Sequence, residues 1–194
     1  MAKRTIAAFD FDGTLTTRDT LIPFILFIKG APETLWIFLT SIPLLMMYLF
    51  GLKSRKELKE FYISQAFKGM SEEKIETLGS AFAEKQLDRY LRTKALEKIS
   101  NHLDKGHEVV LISANLDTYL IPWGKKHNFH KVLCSEVDLK TRLLKGENCR
   151  GEEKVKRLLA WAGPKSNYEL WAYGDSKGDE ALLKLADHPV YRGI

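Results

Sequence analysis

The chain has 194 residues, 45% of them hydrophobic and 28% charged, with a net charge of +5. That length holds one α/β domain with a sizeable core and a small insertion, and the composition excludes a disordered or low-complexity chain. The modest, dispersed charge comes with no nucleic-acid-binding motif, and the two cysteines, Cys134 and Cys149, form neither a disulfide framework nor a zinc pair.

Lys3 and Arg4 run straight into an apolar, β-branched segment, Thr5 to Phe9, which reads as a short buried strand. No signal-like apolar stretch precedes it, and the cysteines read as reduced thiols, so a cytoplasmic location is expected. The strand leads into Asp10-Phe11-Asp12-Gly13-Thr14-Leu15-Thr16, with Gly13 as a turn residue. A D-x-D alone is more often a solvated turn. Two carboxylates at the end of a buried strand are costly neighbours, because each raises the other's pKa unless a cation or hydrogen-bond donors compensate. The pair makes chemical sense if one attacks and the other moves protons, with a metal between them.

From about Leu21 to Arg92 no strand–helix alternation appears, and the segment reads as helical throughout. Gly30-Ala31-Pro32 marks a break. The 18 residues from Leu35 to Leu52 carry no charge, which meets the length of a transmembrane candidate. Pro43 in the middle and Gly51 at the end favour instead a pair of short helices buried in a cap, and a single span would put the two halves of the molecule on opposite sides of a membrane. The sharper alternative is an apolar face that touches lipid. Lys53, Arg55, Lys56 and Lys59 follow; a solvated helix face is the preferred reading, attraction to phosphates or an anionic membrane the other. Ser54 to Phe67 is amphipathic, with Leu58, Phe61, Tyr62 and Gln65 at helical spacing. Ser71 is the N-cap of the next helix.

After Ala95 the pattern alternates. Ala95 to Lys105 is a helix with Leu96, Ile99 and Leu103 on one face, stopped by Gly106. Val109 to Ile112 is a strand, Asp117 to Lys126 a helix, and Val132 to Leu139 with Leu143 an extended hairpin. Glu152 to Ala162 is a helix, Tyr168 to Tyr173 a strand, Asp179 to Asp187 a short helix, and Val190-Tyr191 a final strand. Alternation of this kind implies a parallel, doubly wound sheet. The carboxyl ends of three strands then deliver Asp10 and Asp12, Ser113-Ala114-Asn115, and Asp175 with Asp179 to the edge where ligands bind in such sheets. Their coincidence is more specific than any one motif.

Together FDFDGTLT (9–16), LISAN (111–115), the lysine of RGEEKVKRL (150–158) and YGDSKGDEALL (173–183) resemble the haloacid-dehalogenase superfamily of aspartate-nucleophile phosphatases, in its phosphoserine-phosphatase-like branch. The resemblance implies a Rossmann-like core over residues 1–17 and 93–194, a helical cap over 18–92, and a Mg²⁺-dependent phosphomonoester hydrolase. It implies Asp10 as the nucleophile that becomes an aspartyl-phosphate and Asp12 as the acid and base. Ser113 and Lys154, with the Gly13-Thr14 turn, would hold the phosphoryl group. Asp10, Asp12 through its carbonyl, Asp175 and Asp179 would form the metal site. The substrate stays open between a small phosphomonoester, phosphoserine, and a lipid phosphate reached by peripheral contact of the cap with the inner membrane surface. Phosphoserine is weakened by Asp19 and Gly178, where that branch carries glutamate and asparagine. A non-catalytic binding protein of the same fold is the rival of another class; the filled catalytic positions argue against it.

Overall fold

The structure is a computed structural model that describes residues 4–194; Lys3 lies outside them. Five parallel strands form one sheet in the order β3-β2-β1-β6-β7. They are β1 (Arg4–Phe9), β2 (Glu108–Leu116), β3 (Lys131–Ser135), β6 (Tyr168–Gly174) and β7 (His188–Tyr191). A small antiparallel hairpin, β4 (Val137–Asp138) with β5 (Leu143–Leu144), follows β3. Both faces of the sheet are covered, which is why its central strands are apolar without alternation. Ala7 and Phe9 of β1, with Val109 and Leu111 of β2, face one core. Ile6, Ala8, Val110 and Ile112 face the other.

Between β1 and β2 the chain builds α1 (Leu21–Leu49), α2 (Arg55–Phe67), α3 (Glu72–Lys85) and α4 (Ala95–Asp104). The α1–α3 block leaves and rejoins the sheet through adjacent segments. Thr16 pairs with Leu91, Thr17 N–H donates to Tyr90 O at 2.8 Å, and Arg92 N–H donates to Leu15 O at 2.8 Å. Phe24 of α1 meets Phe67, Phe82 and Tyr119, with ring centroids 4.7–6.1 Å apart, so an aromatic cluster joins the block to α5 (Asp117–Lys126). On the far side of the sheet lie α6 (Glu152–Ala162) and α7 (Glu180–Leu185), the latter shorter than the sequence suggests.

Three expectations need correction. Leu35 to Leu52 is not a buried helix pair. Apart from the break at Gly30 (φ 74°), α1 runs continuously through Pro43 to Leu49. Only Thr34, Ile37 and Ser41 of its second half are buried, Ser41 Oγ lying 3.0 Å from Tyr62 Oη of α2. Its outer face carries Leu35, Leu39, Ile42, Met46 and Leu49 at helical spacing, 45–66% exposed, with Trp36 at 67%. The second correction is Lys59, which does not lie on a solvated face: α2 buries Lys59, Ile63, Ala66 and Phe67, one step round from the stripe read in the sequence. The third is α4, which buries Ala95, Ile99 and His102 while Leu96 is exposed, because His102 finds a polar partner in Tyr173 beneath it.

Candidate active site

Parallel pairing puts the carboxyl ends of β1, β2 and β6 on one edge. Asp10 N–H continues the ladder to Tyr173 O at 3.0 Å, which fixes the first carboxylate against β6. β2 changes register between Ser113 and Leu116, and such an irregularity re-aims side chains. Gly13 turns the chain after Asp10 at φ +78°, and a side chain there would overlap the Asp175 carboxylate. Gly174 gives the same close approach to Asp179.

Lys154 is the centre of the charge. It is 2% exposed, and its ammonium donates to Asp10 Oδ1 and Asp179 Oδ1, each at 2.6 Å. Burial works against its charge, but the two carboxylates outweigh burial and raise its pKa. Asp179 is held by Ser176 Oγ at 2.9 Å and by the backbone N–H groups of Asp175 and Ser176. Burial opposes its ionisation, yet Lys154 and these donors bring its pKa below the ordinary value. Burial pushes Asp10 up to about 6 despite Lys154. The Thr14 hydroxyl lies 3.3 Å from Asp10 Oδ2 and 3.4 Å from Asp175 Oδ1. Ser113 is buried beside them, and its Oγ accepts from Asn115 N–H at 3.2 Å.

Asp12 points elsewhere. Its carboxylate accepts from Thr20 N–H at 3.1 Å and from Thr20 Oγ1 at 2.8 Å. Asn115 Nδ2 donates to Thr20 Oγ1 at 3.0 Å, which ties β2 into the same chain. Burial, then the charge of Asp19, pushes Asp12 up to about 8 against these bonds. The two acids of the first motif therefore occupy different settings, one against a lysine and the other against hydroxyl and amide donors.

Asp10, Asp175 and Asp179 offer carboxylate oxygens within 4.8 Å of one another. Three carboxylates against one lysine leave an excess of two negative charges. A single Thr14 hydroxyl proton cannot satisfy both oxygens it faces. An all-oxygen donor set with that deficit suits a divalent hard cation such as Mg²⁺. Asp10 and Asp175 have oxygens to offer, whereas the Asp179 oxygens are already engaged. The Asp12 carboxylate is not in the cluster.

These groups line a cavity of about 460 Å³ between the sheet edge and the helical block. Sequence reasoning passed over several of its residues. Thr20, behind the cavity wall between Asp12 and Asn115, carries no motif of its own. Tyr62 was read only as part of the amphipathic stripe of α2, and Arg55 and Lys59 only within a basic run whose preferred reading was a solvated face; their i, i+4 spacing is the signal that could have set them apart from Lys53 and Lys56. Asn148, which accepts from Lys59 at 3.0 Å, lies in a loop.

A doubly wound parallel sheet that gathers buried acids and a lysine at its carboxyl edge, under a helical block, is the architecture of an α/β enzyme that works with carboxylates. The chain belongs to the haloacid dehalogenase-like hydrolase family, whose model matches residues 7–184. It is 34% identical to Protein CicA of Caulobacter vibrioides over 96% of this chain and 85% of the relative. Its fold is similar to that of a protein of unknown function from Bordetella pertussis Tohama I (TM-score 0.80, 22% identity, 94% of this chain and 87% of that one). It is also similar to that of a probable phosphoserine phosphatase from Vibrio cholerae (TM-score 0.67, 15% identity, 95% of this chain and 54% of that one). The resemblance read from the four motifs therefore stands for the family and the fold: the chain is a haloacid dehalogenase-like hydrolase with a fold similar to that of a probable phosphoserine phosphatase.

Proposed function

We propose that the chain is a Mg²⁺-dependent phosphomonoesterase that works through an aspartyl-phosphate on Asp10. The observation that carries this reading is the buried Asp10–Lys154–Asp179 ion-pair chain, with Asp175 beside it and Ser113 on the neighbouring strand. In the first step an Asp10 oxygen attacks phosphorus, the bond from phosphorus to the leaving oxygen breaks, and Asp12 gives that oxygen a proton. In the second, water loses its proton to Asp12 and attacks phosphorus, the acyl-phosphate P–O bond breaks, and Asp10 is regenerated. Lys154 and Ser113, with Gly13 and Thr14 in the turn, hold the phosphoryl oxygens. Asp10, Asp175, the Asp12 carbonyl and, from behind, Asp179 would hold Mg²⁺, which supplies charge neutralisation at the phosphoryl group.

Asp10→Asn tests the reading, since it keeps the shape and removes the attacking charge. Phosphate release from p-nitrophenyl phosphate should fall at least about 1,000-fold, as expected for loss of a nucleophile, with an unchanged circular-dichroism spectrum. Wild-type enzyme stripped by EDTA should lose activity and regain it with Mg²⁺. Near-wild-type turnover by Asp10→Asn would reject the mechanism.

A second reading rests on α1, with its exposed apolar face beside the cavity: a lipid-phosphate phosphatase acting at the cytoplasmic surface of the inner membrane. For phosphoserine the structure offers no comparable support. Gly178 lies directly under the Arg150 guanidinium, which a side chain at 178 would displace.

A further inference from the structure

The cavity has two unlike ends. One holds the carboxylates and Lys154. At the other, α2 presents Arg55 and, one turn later, Lys59; Arg150, in the loop after Asn148, lies instead over Gly178, beside the carboxylates. Ion pairing separates Arg55 and Lys59 from their neighbours. Lys53 pairs with Glu57 at 2.6 Å and Lys56 with Glu147 at 3.0 Å, both outside the cavity. Among the described residues, Arg55 and Lys59 make no ion pair with a carboxylate. Arg55 donates only to the Tyr48 hydroxyl, at 3.2 Å. Lys59 donates to two neutral oxygens, Ala114 O and Asn148 Oδ1.

Lys59 is the telling member, being 9% exposed. A buried ammonium without a counter-ion is costly, and burial accordingly draws its pKa down to about 8. Two of its three protons are committed, which leaves one donor for the cavity it lines. Asp19 faces the same space with no ion pair to Lys59; its carboxylate accepts from Leu21 N–H at 2.9 Å, and its charge only partly offsets the effect of burial on Lys59. Ala114, to which Lys59 bonds, lies between Ser113 and Asn115. The cation therefore sits on the side of the site where Asn115 and Thr20 hold Asp12. In the proposed mechanism that is the side of the leaving oxygen, so a cation there meets the substituent of the leaving alcohol rather than the transferring group.

We propose that Arg55 and Lys59 form a second anion subsite, and that the substrate is a phosphomonoester whose alcohol carries a second phosphate, free or as a diester. This deepens the phosphatase reading and rests on it for the orientation of the substrate. A second phosphate brings enough charge and enough acceptor oxygens for both cations, one of them a guanidinium fork. The second phosphate can come from a soluble metabolite or from a lipid headgroup.

The test separates binding from turnover. Asp10→Asn protein with Mg²⁺ is titrated calorimetrically with propyl phosphate and with propane-1,3-diol bisphosphate. The bisphosphate should bind about 10-fold or more tighter, the size of one or two charge-assisted hydrogen bonds. Arg55→Gln and Lys59→Met, each in the Asp10→Asn background, should bring that ratio towards one. Arg55 is exposed, so its variant keeps the test sound if Lys59→Met fails to fold. A third arm uses the bisphosphate with a diacylglycerol esterified to one phosphate, in phosphatidylcholine vesicles. A preference for this form in the wild-type kcat/KM assigns the phosphate to a lipid, and a preference for the soluble form assigns it to a metabolite. Equal affinity for mono- and bisphosphate, or a ratio indifferent to Arg55→Gln, would overturn the subsite. Because binding is read in a variant that does not turn over, this failure is distinct from failure of the Asp10 mechanism.

Discussion

Thr20 is the hinge of the acid–base arrangement, because one hydroxyl serves two buried partners. It donates to Asp12 at 2.8 Å and accepts from Asn115 at 3.0 Å. Thr20→Val keeps the shape and leaves both groups short of a partner, a cost of about 1–3 kcal/mol. Melting temperature should fall, and kcat should fall more than KM rises, since Asp12 is mispositioned while the phosphoryl site is untouched. A variant with wild-type kcat would show that Thr20 only packs. A second residue-scale prediction concerns pH. His102 is buried, with ring nitrogens 2.8 Å from His107 Nδ1 and from Tyr173 Oη. Burial, then the His107 charge, lowers its pKa to about 4. The unfolded chain protonates this histidine near 6.5 whereas the folded one refuses the proton until about 4, so stability is lost as pH falls through that window. Melting curves from pH 7.5 to 4.5 should show the loss, and His102→Gln should flatten it. An unchanged slope in the variant would assign acid sensitivity to other groups.

At the scale of elements, legibility followed burial. β1, β2 and β6 were readable because both faces of a parallel sheet are covered, which leaves continuous apolar runs such as Ile6 to Phe9 and Val109 to Ile112. The acids at their ends were readable for the same reason: polar groups directly after such runs stand out. Helices were found but their faces were misjudged. On α2 the stripe through Leu58 and Phe61 was shifted, since Lys59 is buried by bonds to Ala114 and Asn148 from distant parts of the chain. On α4, Leu96 is exposed while His102 is buried. In both cases a tertiary hydrogen bond reversed what hydrophobic periodicity alone favours. The second half of α1 failed differently. An apolar run has the same pattern whether it faces a core or an apolar solvent, so only the fold could show that Pro43 does not divide it and that its outer face is open.

For the whole molecule, that outer face is the unresolved energetic feature. Only 22% of the most apolar stretch of α1 is buried. Leu35, Trp36, Leu39, Leu49, Phe50 and Leu52 are 49–73% exposed. Full burial of one large apolar side chain is worth about 1.5–3 kcal/mol, so several inserted together at a bilayer surface provide peripheral attachment. The helix also packs on α2 through Phe38 and Ser41 against Tyr62 and lends Tyr48 to the cavity, so a membrane against its outer face would lie near the cavity mouth. Lys53 and Lys56 are already paired with glutamates, and attachment should therefore depend more on the apolar stripe than on anionic lipid. The expected outcome is that wild-type protein floats with liposomes, and that adding anionic lipid strengthens this only modestly. Trp36→Gln with Leu39→Gln and Leu49→Gln should abolish flotation at nearly unchanged melting temperature, since substitutions at exposed positions cost about 0.5 kcal/mol or less each. The triple variant should lose activity on a vesicle-borne phosphate and keep it on p-nitrophenyl phosphate, because the catalytic groups lie on the sheet edge. Absence of flotation by the wild type, with equal losses on both substrates in the variant, would leave α1 as a cap helix whose apolar face meets something other than a bilayer.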